Sequence, residues 1–177
     1  MLRYLALSLV LLPLVLSAPA GAHGPTRQKI SETVEIDAPA DKVWAVIGNF
    51  QDMSWHPAIT KTEGEGGSTA GAKRTLTLAG GGLIHEELLA HDPGKRSFKY
   101  AITEVDVKVL PVNNYTSTLS VTEENGKSVV DWRGAFYRGY MNNDPPADLN
   151  DEAAIKAVTE VYRTGLDNLK KVIEAGG

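Results

Sequence analysis

NDEAAIKAVTEVYRTGLDNLKKVIEA, residues Asn150 to Ala175, reads as one uninterrupted amphipathic helix, and it decides the fold. Ile155, Val158, Tyr162, Leu166, Leu169 and Ile173 recur three and four apart, which lays a continuous apolar stripe along one face. Asp148 or Asn150 supplies an N-cap oxygen, and Asp151 and Glu152 suit the positive end of the helix dipole. Lys170 and Lys171 stand toward the negative end, and Gly176 follows the last turn. A stripe this long needs a broad apolar surface to cover it, and the residues upstream provide a sheet.

Working back from the helix, the chain alternates with a period of two. Strands are expected at 29–36, 59–65, 73–78, 83–91, 96–104, 113–123 and 128–137. Asp92-Pro93-Gly94-Lys95 and Glu124-Asn125-Gly126-Lys127 are tight-turn sequences, since Gly and Asn accept the positive φ that such turns need. Consecutive strands on short turns make an antiparallel meander. Between the first two strands, Ala38-Pro39-Ala40-Asp41 opens a short helix with Val43, Val46, Ile47 and Phe50 on its buried face. A second short helix is expected over Asp52–His56, stopped by Pro57.

The chain has 177 residues, with 18 Lys+Arg against 22 Asp+Glu and a formal net charge of -4. An acidic surface of this kind does not suit nucleic acid, whose binding needs cationic side chains to displace counterions. The absence of cysteine removes disulfides, thiolate catalysis and Cys–zinc sites. Met1-Leu2-Arg3, the apolar run Leu5–Leu16 and the small-residue sites ending at Ala20 and Ala22 read as a secretory signal peptide, residues 1–22. The run is too short for a stable membrane anchor, which takes about 20 apolar residues. A flexible leader, 23–28, and one domain, 29–177, complete the expected organisation, and a periplasm is the expected destination.

Val34-Glu35-Ile36-Asp37-Ala38-Pro39-Ala40-Asp41-Lys42-Val43-Trp44, together with Trp55-His56-Pro57, resembles the START-like (SRPBCC, polyketide cyclase and lipid transport) superfamily. That resemblance implies an α+β helix-grip fold: a curved antiparallel sheet of about seven strands, two short helices and a long C-terminal helix over an internal cavity. Val107–Tyr115, Trp132–Gly139 and Asn143–Glu152 are similar to the MxaD-type periplasmic proteins of methylotrophic bacteria. The implied role is a non-catalytic accessory of methanol oxidation, assisting methanol dehydrogenase or its electron transfer to a c-type cytochrome. Two alternatives stand beside it, a carrier of a small apolar ligand and a cyclase- or dehydratase-like enzyme.

Strand parity names the cavity walls. Phe98, Tyr100 and Ile102 share one face, Tyr115, Leu119 and Val121 another, and Val130, Trp132 and Phe136 a third. Trp55, His56, Glu86, Phe98, Tyr100, Tyr115, Trp132, Phe136 and Tyr162 form the expected ligand cavity, with plain core packing as the alternative reading. Strand 83–91 carries a carboxylate inward in either register, Glu86 or Glu87, and a buried unpaired carboxylate must find a partner or a proton. The other outcome is a solvated carboxylate near the open end. His56, at the mouth in the resembling family, is either a general acid or base with one of these carboxylates or a polar cap beside a turn. Asp131 and Arg133 read as a solvated pair, and Arg138 as a rim cation for an acidic ligand. Tyr137, Tyr140 and Met141, beside the proline-stiffened linker Asn142–Pro146, are the expected partner-binding residues. The Gly64–Gly67 stretch lacks the helix and Gly-Lys-Ser/Thr ending of a phosphate loop, and no Gly-x-Ser-x-Gly elbow is present. No cofactor and no metal is expected.

Intact-mass measurement or N-terminal sequencing of exported protein should give a start at Gly21 or His23. A product that keeps Met1 or stays in the membrane contradicts the signal-peptide reading.

Overall fold

The computed structural model describes residues 24–176. The expected signal peptide, 1–22, and His23 lie outside the described residues. Seven strands are present: β1 (Gln28–Ile36), β2 (Ile59–Glu65), β3 (Lys73–Leu78), β4 (Leu83–Asp92), β5 (Ser97–Val105), β6 (Val112–Glu124) and β7 (Lys127–Arg138). They form one antiparallel sheet in the order β1-β7-β6-β5-β4-β3-β2. From β2 to β7 the sheet is a plain meander, and β1 is added beside β7. Helix α1 (Ala40–Ile47) fills the connection between β1 and β2, and α2 (Asp151–Ala175) follows β7. This is the α+β helix-grip arrangement that the alternating strands and the final helix imply.

Local chemistry explains the boundaries. Asn125 (φ 53°) and Gly126 (φ 78°) make the two-residue turn that joins Glu124 to its partner Lys127. Asn150 rather than Asp148 caps α2, its side chain accepting from the Ala153 N–H at 2.8 Å. Asp52–His56, expected as a second helix, is a set of turns. The Asp52 carboxylate accepts from the Ser54 N–H at 2.8 Å, and the His56 N–H bonds the Met53 carbonyl at 2.9 Å. Such short side-chain bonds compete with helix formation, and Pro57 denies the segment another turn.

The sheet is curved because its ladders are interrupted. Register shifts leave an extra residue at Thr60 in β2, at Leu89 in β4, at Thr103 in β5 opposite His85/Glu86, and between Asn113 and Thr116 in β6. Each extra residue bends its strand and increases local twist. Helix α2 packs on β1 and β7 at one side of this sheet. Arg163 and Lys170 donate to the Thr33 and Glu35 carbonyls, so the helix also occupies free acceptors along β1. Val158, Tyr162, Leu166, Leu169 and Ile173 are buried against the sheet, and Ile155 packs at the margin of the core. No described helix is long and apolar enough to cross a membrane.

Candidate functional site

Two glycines set how closely α2 approaches the sheet. A Cβ on Gly134 of β7 would overlap the Tyr162 hydroxyl, and a Cβ on Gly165 of α2 would stand 2.9 Å from His56 Nε2 and 3.0 Å from Trp132. With neither Cβ present, the Tyr162 and Trp132 rings stack at 4.3 Å with 9° between planes. Contact is tight over β7. It loosens toward β3, β4 and β5, where the sheet curls away, and a cavity of about 70 Å³ opens there. Its apolar wall includes Leu76, Ile84, Ile102, Leu110 and Val161.

The residues expected to line a cavity divide between two places. His56, Glu86, Tyr100, Tyr115 and Trp132 face it. Trp55, Phe98, Phe136 and Tyr162 are buried elsewhere in the core: Trp55 packs on Trp132, Phe98 on Phe50, Phe136 on Tyr115, and Tyr162 on Trp132.

Strand β4 resolves its two registers in favour of Ile84, Glu86 and Leu88 inside, while Glu87 stays at the outer face. Glu86 is not solvated near an open end. Its Oε2 accepts from Arg74 Nε at 2.6 Å, and both side chains are buried. Arg74 also donates to the Phe50 carbonyl at 2.6 Å and lies over the Phe50 ring, 4.2 Å from its centroid. Burial pushes the Glu86 carboxyl upward, and the Arg74 guanidinium pulls it back. Arg74 is the residue that strand reading passed over. Its parity with Leu76 in β3 was the available signal, because a cation on an inward face needs a carboxylate opposite.

His56 is 1% exposed and sits inside rather than at an open mouth. Its Nδ1 accepts from the Ala58 N–H at 3.2 Å, which leaves Nε2 to donate to the Val161 carbonyl at 2.9 Å. The neutral ring therefore ties the 53–58 turns to α2. Burial lowers its pKa, and the backbone bond to Val161 only partly opposes this. His56 and Glu86 make no hydrogen bond with each other, since each is held by structural partners. Glu86 and Arg74 are the charged side chains at this end of the interior.

Tyr100, Tyr115 and Tyr162 bring three buried phenols together. Tyr115 Oη lies 2.6 Å from Tyr162 Oη and 3.4 Å from Tyr100 Oη. Ser117 Oγ is 2.8 Å from Tyr162 Oη, and Trp132 Nε1 donates to Tyr100 Oη at 3.1 Å. Burial pushes Tyr100 up to about 12 and the other two well above the usual phenol value, so all three keep their protons. Ser117 is a second residue that sequence reading did not single out.

The outer residues are simpler. Asp131 and Arg133 form a partly solvated pair at 3.0 Å. Arg138, expected as a rim cation, is buried and fully engaged. It donates to the Tyr140 and Asn142 carbonyls at 2.8 and 2.9 Å and pairs with Asp151 at 3.3 Å. These bonds shape the 140–142 segment, leaving Tyr137 and Tyr140 half-buried and Met141 exposed. His85, on the outer face with Glu87, bonds Thr75 at 3.0 Å.

A curved seven-stranded sheet holding one long helix, with a small apolar cavity between them, defines a helix-grip protein. The chain belongs to the polyketide cyclase / dehydrase and lipid transport family, whose model matches residues 27–174. Among solved structures it is similar to an uncharacterized protein from Bacillus thuringiensis, at 31% identity and a TM-score of 0.69, covering 82% of this chain and 98% of that one. It is also similar to the protein XoxI from Bacillus cereus, at 30% identity and a TM-score of 0.68, covering 82% and 94%. Truncated norcoclaurine synthase from Thalictrum flavum shares the fold, at 19% identity and a TM-score of 0.61, covering 85% and 96%. No curated protein matches the chain.

The His56 bonds make a pH prediction. Its folded pKa lies below the unfolded value of about 6.5. Between those two values the unfolded chain binds a proton that the folded chain refuses, so stability is full above about pH 6.5 and falls as pH drops. Urea melts from pH 7.5 to 5 should show this loss, and His56→Gln should reduce the slope by up to about 1.4 kcal/mol per pH unit. An unchanged slope in a folded variant contradicts the assignment.

Proposed function

We propose that the protein is a periplasmic, non-catalytic accessory of methanol oxidation, assisting methanol dehydrogenase or the passage of its electrons to a c-type cytochrome. The observation that carries this reading is the resemblance of Val107–Tyr115, Trp132–Gly139 and Asn143–Glu152 to the MxaD-type proteins of methanol oxidation, and the similarity to the protein XoxI over most of both chains stands beside it. The secretory signal expected in residues 1–22 fits a periplasmic role.

The non-catalytic part draws on the interior chemistry. A general acid or base must be free to exchange a proton with a substrate. His56 uses both ring nitrogens to hold backbone groups, and Glu86 is spent on Arg74. Recognition of a partner is assigned to Tyr137, Tyr140 and Met141. They stand beside a segment whose shape Arg138 maintains, and a prearranged surface loses less entropy on binding.

Adding the purified protein to a reconstituted methanol dehydrogenase–cytochrome assay should stimulate electron transfer. Replacing Tyr137 and Tyr140 together by Ala should weaken that stimulation several-fold without unfolding the protein. His56→Ala, checked for folding by circular dichroism, should retain it within a few-fold. General acid–base catalysis typically supplies about 10²–10⁴-fold, so a hundredfold loss in folded His56→Ala protein would point to an enzyme. No effect of the wild-type protein on the assay would sink the accessory role.

A further inference from the structure

The buried phenol network has a direction, fixed from one end. Ser117 Oγ donates its single hydrogen to the Arg133 carbonyl at 2.7 Å. Ser117 can therefore only accept from Tyr162. Tyr162, its hydrogen used, accepts from Tyr115 at 2.6 Å. Tyr115, its hydrogen also used, accepts from Tyr100, whose oxygen already receives the Trp132 N–H. The order Trp132 to Tyr100 to Tyr115 to Tyr162 to Ser117 is thus the only one consistent with a single hydrogen per hydroxyl.

One link in this chain is weak. The Tyr100–Tyr115 separation is 3.4 Å, against a usual O–H···O range of about 2.5–3.0 Å. The other links that involve Tyr162 and Ser117 lie between 2.6 and 2.8 Å. Tyr100 and Tyr115, the two residues at the weak link, both line the cavity. The cavity wall therefore presents a donor without a good acceptor, Tyr100 O–H, beside an oxygen with an unused lone pair, Tyr115 Oη.

We propose that this cavity is a binding site for a short-chain monohydric alcohol, whose hydroxyl accepts from Tyr100 and donates to Tyr115 while its alkyl tail lies against Leu76, Ile84, Ile102 and Leu110. A hydroxyl fits both partners because it carries both functions, whereas a carbonyl only accepts and a hydrocarbon does neither. The ligand is uncharged, because Arg74 already balances Glu86, the one carboxylate at the cavity. Size limits the tail. A cavity of about 150 Å³ holds benzene, and this one is about 70 Å³, which suits three or four heavy atoms. The inference stands apart from the accessory role, since it concerns the interior and not the Tyr137–Met141 surface.

The test titrates 1-propanol, 1-propanethiol and 1-hexanol into the labelled protein and follows the Trp132 indole N–H and the Ile84, Ile102 and Leu110 methyls by NMR. Saturable shifts confined to these groups are expected with 1-propanol, and at least tenfold weaker binding with 1-hexanol. Tyr100→Phe should weaken 1-propanol about fivefold, the worth of a net hydrogen bond, and change 1-propanethiol less than twofold. Ile102→Trp, which fills the cavity and leaves the phenols in place, should abolish saturable shifts for both probes, and it decides the matter if Tyr100→Phe does not fold. Equal losses of alcohol and thiol in Tyr100→Phe, undiminished propanol binding in Ile102→Trp, shifts spread over the surface, or 1-hexanol binding as tightly as 1-propanol would each overturn the proposal.

Discussion

The close seating of α2 on β7 is the constraint on which the rest of this structure depends. A helix with bulky residues along its stripe cannot approach a sheet closely unless one side gives way. Here both sides do, at Gly134 and Gly165, which receive the Tyr162 hydroxyl and the His56 and Trp132 rings. The Trp132–Tyr162 stack fixes the helix at this end, and ring pairs of this kind add about 0.5–1.5 kcal/mol beyond the area they bury. Bulges in β2, β4, β5 and β6 bend and twist the sheet beyond that contact. The cavity is what remains between a helix held at one side and a sheet that curves off at the other.

That geometry brings polar groups inside, and their satisfaction decides what the interior can do. Arg74 and Glu86 neutralise each other, Phe50 offers Arg74 its carbonyl and ring face, and His56 bridges two backbone groups. A buried ion pair adds little net stability, but removal of one partner strands the other charge at a cost of about 3–5 kcal/mol. Such groups are poor candidates for proton transfer because moving them breaks the core. The phenol chain differs, because one of its links is long and faces open space. Charged chemistry in this interior is thus structural, and neutral hydrogen bonding is what it has to offer a ligand.

Much of the fold was legible because period-two and period-3.6 patterns are strong along this chain. β2 and β3 run over the residues their alternation implies, and α2 carries the buried stripe set by Val158, Tyr162, Leu166, Leu169 and Ile173. The 52–56 segment was not legible, because its few residues leave the choice to Asp52 and the local turn bonds rather than to periodicity. The site was legible only in part. Parity brought Tyr100, Tyr115 and Trp132 to the inner face, but parity does not say which inward residue meets a void and which meets another ring. Phe98 and Phe136 share those faces and Tyr162 the stripe of α2, and all three are covered by neighbours. Arg74 and Ser117 act through partners far along the chain, and Gly134 and Gly165 act by the side chain they lack, which no pattern of hydrophobicity records.

The direct test of the helix-seating account is a double-mutant cycle between Gly134→Ala and Tyr162→Phe, measured by urea unfolding. Alanine is ordinarily better than glycine within a strand, so without the close approach Gly134→Ala should be neutral or stabilising. Here the new methyl would overlap the Tyr162 hydroxyl, whereas the ring carbon behind that hydroxyl stands 3.3 Å from the same point. Gly134→Ala should therefore cost about 1–3 kcal/mol in the wild type, as overpacking does. In the Tyr162→Phe background it should cost about 1–2 kcal/mol less, a coupling of the size expected for residues in contact. Costs that add to within about 0.5 kcal/mol, or a Gly134→Ala protein as stable as wild type, would contradict the account.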